Sequence, residues 1–189
     1  INADVVTTDA ANGTLKVRWI APPETDSVAF PSPYYCNLYR FVGQDSLLLN
    51  ASPILATPDT MEYLDHDLST EYQAYTYRVQ FFNNDTLIET SDPATSIFLR
   101  AAPADKRIML SWSVRQPWNN VEYVVYRLDE HGLVWDSIGA TSNTSFTDVG
   151  LENGEEYCYY VRARGYYWLP DTIGPLYNRS QRVCATPID

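Results

Sequence analysis

The sequence has few basic residues and no long apolar run. Its 13 lysines and arginines stand against 24 aspartates and glutamates, for a formal net charge of −11. Because a phosphate-binding surface needs clustered Lys and Arg, and these residues are scattered along the sequence, we expect no nucleic-acid partner. The same deficit argues against an electrostatic membrane anchor. No run approaches the roughly 18 apolar residues of a spanning helix, so we expect no direct membrane insertion.

Residue sets typical of catalysis are also missing. The eight glycines form no phosphate-binding G-x-x-x-x-G-K run. The two histidines, His66 and His131, fall in predicted surface turns, away from any Ser or Cys nucleophile. Asp65-His66-Asp67 suggests metal ligands, but adjacent residues of an extended segment point to opposite sides, and no second cluster has zinc spacing. We therefore predict a non-enzymatic chain with no cofactor and no catalytic metal. A structural calcium ion at an acidic loop is the alternative.

What the sequence does contain favours strands. Aromatic residues make up 14% of the chain, and 15 residues are tyrosines, a type enriched in strands. Short alternating apolar runs recur about every 8 to 12 residues, separated by Gly, Pro, Asn and Asp. No window has a helical period. We predict an all-β fold.

Three stretches of the sequence occur twice, in the same order. Leu15–Trp19 returns as Ile108–Trp112, Tyr34–Arg40 as Val121–Arg127, and Tyr75–Val79 as Tyr157–Val161. The offset between copies drifts only from 93 to 82 residues, as loop-length variation between two copies of one domain produces. We predict a first module of residues 1–93 and a second module of residues 94–189. Because the linker around Pro93–Thr95 is short, we expect a restricted angle between the modules.

Seven strands are predicted in each module. In the first they are Val5–Thr8, Leu15–Ile20, Tyr34–Phe41, Leu47–Leu49, Met61–Leu64, Tyr72–Phe82 and Thr86–Ser91. In the second they are Ser96–Ala102, Arg107–Val114, Val121–Leu128, Val134–Ile138, Ser145–Thr147, Tyr157–Ala163 and Arg179–Ala185. Seven short strands, with a tryptophan on the second and a tyrosine on the sixth, indicate an immunoglobulin-like sandwich.

The second module contains Leu151-Glu-Asn-Gly-Glu-Glu-Tyr157-Cys-Tyr-Tyr-Val161, which resembles the signature before the sixth strand of fibronectin type III domains. The resemblance covers nearly the whole chain, and both modules lack the cysteine pair of antibody domains. It implies two tandem seven-stranded fibronectin type III sandwiches. It also implies that the Tyr157 hydroxyl hydrogen-bonds back across the corner. In the first module the spacing from Leu68 to Tyr75 is one residue longer.

A narrower resemblance rests on Pro117-Trp-Asn-Asn, Tyr123–Arg127, Tyr157–Val161 and Asn178–Pro187. These stretches resemble the tandem fibronectin type III arrays of gliding-motility-associated surface proteins of the Bacteroidetes group, which end in a sorting domain. The resemblance implies export to the cell surface, although no sorting domain occurs in these 189 residues. We accordingly expect the chain to be part of a longer exported protein.

Two of the three cysteines occupy positions that suit a disulfide. Cys158 lies on the predicted sixth strand in outward phase, and Cys184 lies on the seventh. If these strands pair as a hairpin, Cys158 faces Cys184 and Arg162 faces Ser180. A bridge closing a loop of this size would contribute roughly 3 kcal/mol, and two unpaired thiols are the alternative. Cys36 is in phase with the inner face and is predicted to be a buried, inert thiol. A bridged pair favours an oxidising, extracellular compartment.

Six copies of the tripeptide Asp-Ser/Thr-aliphatic are similar to the O-glycosylation signal that the same bacterial group uses on exported proteins. Their hydroxyl residues are Ser27, Ser46, Thr60, Thr86, Ser137 and Thr172. Composition alone would give about one copy. The alternative interpretation is that each tripeptide is a turn running into a strand.

Aromatic residues cluster in two predicted loops at one end of the second module. Trp118 lies between its second and third strands, and Tyr166, Tyr167 and Trp168 lie between its sixth and seventh. Such rings bind sugars or proteins, so the four residues are a candidate binding platform. The same end of the sandwich receives the chain from the first module. Packing of the rings between modules, against residues 65–70, is the alternative that the short linker favours.

Together these features predict a non-catalytic spacer or adhesion module, monomeric, within a larger exported bacterial surface protein. Its partner would be a protein or a glycan at the cell surface. The alternative function is an accessory carbohydrate- or protein-binding module of an extracellular glycan-degrading enzyme. Because sandwiches of this class share a fold and not a function, the sequence names no ligand.

Overall fold

The computed structural model describes residues 7–11, 13–22, 26–57, 59–167 and 173–189. Within these residues the chain is all-β, as predicted, with sixteen strands. This described part holds no helix long and apolar enough to cross a membrane.

The strands of the two modules follow one another along the chain. The first eight are β1 (Thr7–Ala11), β2 (Thr14–Trp19), β3 (Tyr34–Val42), β4 (Asp45–Leu48), β5 (Ile54–Leu55), β6 (Met61–Asp65), β7 (Thr76–Asn83) and β8 (Thr86–Thr90). The other eight are β9 (Ala94–Ala104), β10 (Arg107–Arg115), β11 (Asn119–Leu128), β12 (Trp135–Thr141), β13 (Ser145–Val149), β14 (Tyr157–Tyr167), β15 (Ile173–Arg179) and β16 (Val183–Ala185).

Two eight-stranded sheets each combine strands of both modules. One has the order β12-β11-β14-β15-β1-β2-β6, with β16 beside β14. The other has the order β13-β10-β9-β7-β3-β4, with β5 beside β3 and β8 beside β7. Pairing is antiparallel except between β1 and β15, which run parallel where Asp9 meets Arg179. Each module therefore contributes one layer to each sheet, as in a β-sandwich.

Each sandwich has its own hydrophobic core. Period-2 alternation places Leu15, Val17 and Trp19 in the first core, and Ile108, Leu110 and Trp112 occupy the matching positions of the second. The first core ends in sequence at Ala94 and the second begins at Ile97. The molecule is thus a tandem of two sandwiches. The boundary at residue 93 stays a prediction, because β9 pairs with strands of both modules.

Three points of the strand prediction need correction or completion. The predicted strand Tyr72–Phe82 begins only at Thr76, because the Tyr72 and Gln73 amides close a turn onto the Ser69 carbonyl. The two-residue strand β5 was not predicted. In the first predicted strand, residues 5 and 6 lie outside the described residues.

The predicted last strand is split into β15 and β16. Cys158 faces Cys184, as predicted, but Arg162 faces Arg179 and not Ser180. The register shifts because an extra residue is accommodated around Gln181, whose side chain turns inward and clasps the backbone of Leu99. A bulge of this kind cannot be inferred from hairpin symmetry.

Candidate functional site

An arginine, an aspartate and a tyrosine form a buried cluster in the first module. Arg40 Nη1 donates to both carboxylate oxygens of Asp65 at 2.8 and 2.9 Å, and the Tyr77 hydroxyl donates to Asp65 Oδ2 at 2.8 Å. The Arg40 guanidinium also lies 5.8 Å from the ring centre of Tyr75. Burial, and then the adjacent Asp65 carboxylate, raise the pKa of Tyr77 well above its ordinary value.

The second module repeats this cluster. Arg127 Nη1 and the Tyr159 hydroxyl donate to Asp148 Oδ2 at 2.8 and 2.9 Å, and Arg127 lies 5.7 Å from the Tyr157 ring centre. Burial and the Asp148 carboxylate again raise the pKa of Tyr159. The Asp148 carboxylate is bonded to Arg127 on β11 and to Tyr159 on β14, and Asp148 itself lies on β13. The cluster therefore links three strands of the sandwich.

In each module a tyrosine hydroxyl also closes the corner before the sixth predicted strand, which is β7 in the first module and β14 in the second. The Tyr157 hydroxyl accepts the Glu152 amide at 3.1 Å, which confirms the predicted corner. Tyr75 does the same in the first module: its hydroxyl accepts the Ser69 amide at 2.9 Å and Gln73 Nε2 at 2.8 Å. The spacing from Leu68 to Tyr75 is one residue longer than the matching spacing in the second module, and the corner hydrogen bond still forms.

Neither histidine takes part in a catalytic arrangement among the described residues. His66 is exposed, and His131 Nε2 lies 3.6 Å from Glu130 Oε1 on the surface. The Asp129 carboxylate accepts the Val134 and Leu133 amides, and these hydrogen bonds lower its pKa. That carboxylate therefore serves a turn.

Carboxylates line an open groove of the second module, between the end of β11 and the start of β14. They belong to Asp129, Glu130, Asp136, Glu152, Glu155 and Glu156. Among the described residues Glu156 also lies close to two sulfur atoms, but these form a disulfide and offer no thiolate to a metal. A structural cation at an acidic loop stays the alternative to the prediction of no metal.

The predicted disulfide is present. Cys158 and Cys184 are joined with an S–S distance of 2.07 Å, and the Arg182 guanidinium covers both sulfur atoms, at 2.9 and 3.3 Å. Cys36 is a buried free thiol whose pKa is raised by burial, as expected for an inert position.

The predicted aromatic platform is only partly at the surface. Trp118 is 6% exposed, its ring lies against Gly165, and its Nε1 donates to Asn120 Oδ1 at 3.2 Å. A Cβ on Gly165 would lie 2.6 Å from Trp118 Cδ1, so glycine is required there. Tyr166 and Tyr167 are half-buried, and Trp168 lies outside the described residues. Binding of a partner by these loops and packing of the loops between the modules both stay predictions.

The predicted glycosylation positions are accessible where they are described. The exposed hydroxyl residues are Ser27, Ser46, Thr60, Thr86 and Ser137. Thr172 lies outside the described residues. Exposure permits modification and does not establish it, so O-glycosylation stays a prediction.

Aromatic and arginine side chains pack against one another on the outer face of the second module, although Tyr177 stays 40% exposed. Aromatic rings and guanidinium groups alternate across it: Trp135, Tyr126, Tyr160, Tyr177, Arg162 and Arg179. Tyr160 stacks on Tyr126 with ring centres 4.6 Å apart, and Arg179 lies 4.0 Å from the Tyr160 ring centre. Three of the scattered arginines, counting Arg164 beside Glu122, are thus gathered on this face.

The outer face of the first module exposes an apolar row that the sequence analysis did not identify. The register aligns Leu55, Tyr35, Phe82 and Leu87 across β5, β3, β7 and β8. Leu55 is 54% and Leu87 48% exposed. A signal for one residue of this row was available, because the inward phase of Cys36 and Leu38 places Tyr35 on the opposite face. Its partners come from strands whose register the sequence does not specify.

No protein-family model matches the chain, and no curated protein is similar to it. Among solved structures it is similar to the chicken CNTN1 FN1-FN3 domains, with 13% identity and a TM-score of 0.38, over 100% of this chain and 65% of that one. It is also similar to the chicken interferon gamma receptor alpha chain, with 11% identity and a TM-score of 0.34, over 98% of this chain and 100% of that one. The chain spans 65% of the length of the CNTN1 structure. The assignment of two fibronectin type III-like sandwiches rests on the strand order and the corner tyrosines.

Proposed function

We propose that the chain is a non-catalytic pair of sandwiches that acts as a spacer and interaction module in a larger exported protein. The observation that carries this proposal is strand β9. Its first residues pair with β7 of the first module, at Thr76 and Tyr77, and the strand then pairs with β10 of the second. A continuous strand shared by two sandwiches has no free hinge, so the pair should behave as one stiff element.

A second strand pairing crosses the junction and supports stiffness. β1 of the first module pairs with β15 of the second. This pairing lies in one sheet and β9 in the other, so the modules are joined in both sheets, which resists bending in more than one direction. Within the second module, Gln116 Nε2 donates to the Thr95 carbonyl of β9. An open pocket of about 150 Å³ is lined by Arg18 and Trp19 of the first module and by Tyr177 of the second.

Export is proposed on the disulfide and on the resemblance to gliding-motility-associated surface proteins. Cross-strand disulfides persist in oxidising compartments, and the Cys158–Cys184 bridge is formed. A surface location would also suit the exposed Asp-Ser/Thr-aliphatic positions. The burial of Trp118 weakens the alternative of a glycan-binding accessory module, because one of the two tryptophans of the predicted platform is covered.

Stiffness is tested by distance measurements between labels on the two modules. Non-thiol spin labels at the exposed Ser46 and Ser137 should give a narrow distance distribution in pulsed electron resonance. Inserting Gly-Ser-Gly-Ser between Ser96 and Ile97, where β9 passes from one core to the other, should broaden it. The same insertion after Gly132, in an exposed turn, is the matched control. A broad distribution in the unmodified chain would contradict the spacer function.

A further inference from the structure

We infer that the apolar row of Leu55, Tyr35, Phe82 and Leu87 is the docking surface for a protein partner whose contact surface is apolar and rimmed by Lys and Arg. The inference rests on the proposed interaction function and specifies its surface. The row crosses four neighbouring strands, which at about 4.8 Å per strand makes it roughly 15 Å wide. Exposed apolar stretches of this kind mark interaction sites more often than free surface.

A second apolar group lies on the same face beyond a polar row. Tyr39 and Leu48 face each other across β3 and β4, with Arg78 opposite Tyr39 on β7. The row of Asn37 and Gln80 separates the two groups. Tyrosine and arginine are among the residue types enriched at the energetic centre of protein interfaces.

The second module provides an internal control for this interpretation. Its outer face covers its rings with one another and with arginine side chains, so Tyr160 contacts both Tyr126 and Arg179. The same sandwich can therefore be built with outer-face rings that pack against one another and against arginine. The open leucines of the first module are not a requirement of the fold.

Charge determines the class of partner. The first 93 residues carry four basic and thirteen acidic residues, a net charge of −9, whereas residues 94–189 carry nine and eleven, a net charge of −2. The exposed Asp45 and Asp85 stand beside the face, at the start of β4 and in the turn before β8. A second copy of the chain would bring one −9 module against another. A basic partner gains from the same field in association rate and in specificity.

The test is a selection that does not presuppose a partner. A random peptide display library is panned on the immobilised full chain, with counter-selection on the double variant Leu55→Ser/Leu87→Ser. Both leucines are half-exposed, so the variant should keep its fold. We expect the enriched peptides to combine apolar residues with Lys or Arg and to bind the double variant about tenfold more weakly or worse. The matched control is Leu64→Ser/Met109→Ser, which alters two residues that are each 45% exposed on other faces; its affinity should be unchanged.

Several results would overturn the inference. These are peptides that bind the double variant equally well, enriched peptides that are acidic, and loss of affinity in the control variant. Sedimentation that reveals a dimer abolished by Leu55→Ser/Leu87→Ser would assign the face to a second copy of the chain. The spin-label distances report on the spacer function separately. A narrow distribution without face-dependent peptides removes the docking surface alone, and a broad distribution with such peptides removes the spacer alone.

Discussion

The two modules keep the same buried polar contacts and differ in their covalent link and their outer faces. Both hold an aspartate between an arginine and a tyrosine, at Asp65 and Asp148. Only the second has a disulfide and, among the described residues, only the first aligns exposed apolar side chains across four strands. The buried polar contacts that fix the relative position of strands are therefore the same in both modules, whereas the covalent link and the outer-face side chains differ. The differences between the modules are therefore the better guide to function.

Both modules also share a hydrogen bond made by a serine at a bulge in the last predicted strand. This serine is Ser91, between β8 and β9, in the first module and Ser180, between β15 and β16, in the second. Ser91 and Ser180 accept the amides of Val79 and Val161, each at 2.9 Å. Each serine hydroxyl also donates to the carbonyl of the residue that follows it. The serine supplies the hydrogen bond that the strand loses where it bends, which explains why the same solution occurs twice.

The largest effect is expected at the buried aspartates, and it should differ between the modules. Asp65→Ala leaves the Arg40 charge partly buried and unpaired, which should destabilise the first module by about 3–5 kcal/mol. Asp148→Ala should cost less, because the Arg127 side chain is 34% exposed against 20% for Arg40 and can turn to water. Urea unfolding of both variants measures the free energies, with exposed Asp59→Ala as the control. A larger loss at Asp148 would reverse the comparison.

Removing the disulfide should affect the second module alone. Cys158→Ser/Cys184→Ser opens a loop spanning 26 positions, which should lower the free energy of unfolding of that module by about 3 kcal/mol. Hydrogen exchange followed by mass spectrometry should report faster exchange in β14 and β16, with unchanged exchange in β7. Faster exchange in both modules would mean that their folding is coupled more tightly than their separate cores suggest.

Alkaline pH should destabilise both modules through the buried tyrosines. Tyr77 and Tyr159 have pKa values raised by burial in the folded state, whereas tyrosine in the unfolded chain ionises near pH 10. Their contribution is therefore complete below about pH 10 and is lost as pH rises; at pH 11 the loss should be about 1.4 kcal/mol per tyrosine. Tyr77→Phe and Tyr159→Phe should each flatten the pH dependence of urea unfolding above pH 10. An unchanged slope in either variant would contradict this origin.

The bulge serines should give smaller and equal effects. Ser91→Ala and Ser180→Ala each leave a buried strand amide without its acceptor, at a cost of about 1–2 kcal/mol. Equality is expected because the hydrogen bonds have the same partners and nearly the same lengths in both modules. Thermal unfolding measures the difference. A gap larger than the error would indicate that one bulge has a role beyond the strand.

The repeat, the strand alternation and the cysteine phase made much of the fold predictable from sequence. Those signals are local, or they compare one copy with the other. The Arg40–Asp65–Tyr77 cluster was missed because Arg40 and Tyr77 lie 25 and 12 positions from Asp65 in the sequence. The three residues are on three different strands, whose register no local pattern fixes. Alignment of the two copies places the same three residue types at matching positions, and that comparison was the available signal.

The junction and the open face were beyond sequence reasoning for the same reason. The parallel pairing of Asp9 with Arg179 joins the two ends of the chain, and no periodicity predicts it. The apolar row depends on β5, a two-residue strand, and on a register shift between Phe81 and Phe82. Sites that depend on short strands and irregular register therefore cannot be predicted from the sequence. A corner tyrosine, by contrast, hydrogen-bonds within its own loop, so its spacing in the sequence identifies it.

The corner tyrosines should give the smallest effects, and these should again be unequal. Tyr75 is buried and its hydroxyl accepts two hydrogen bonds, whereas the half-buried Tyr157 accepts one, from an exposed loop amide. Tyr75→Phe should therefore cost about 1 kcal/mol, and Tyr157→Phe about half of that, because water can replace the lost acceptor at the exposed corner. Urea unfolding of the two variants, with Tyr72→Phe at an exposed position as the control, measures the difference. Equal losses would mean that the second hydrogen bond to the Tyr75 hydroxyl, from Gln73, contributes nothing to stability. The extra residue in the corner of the first module would then be only a tolerated insertion.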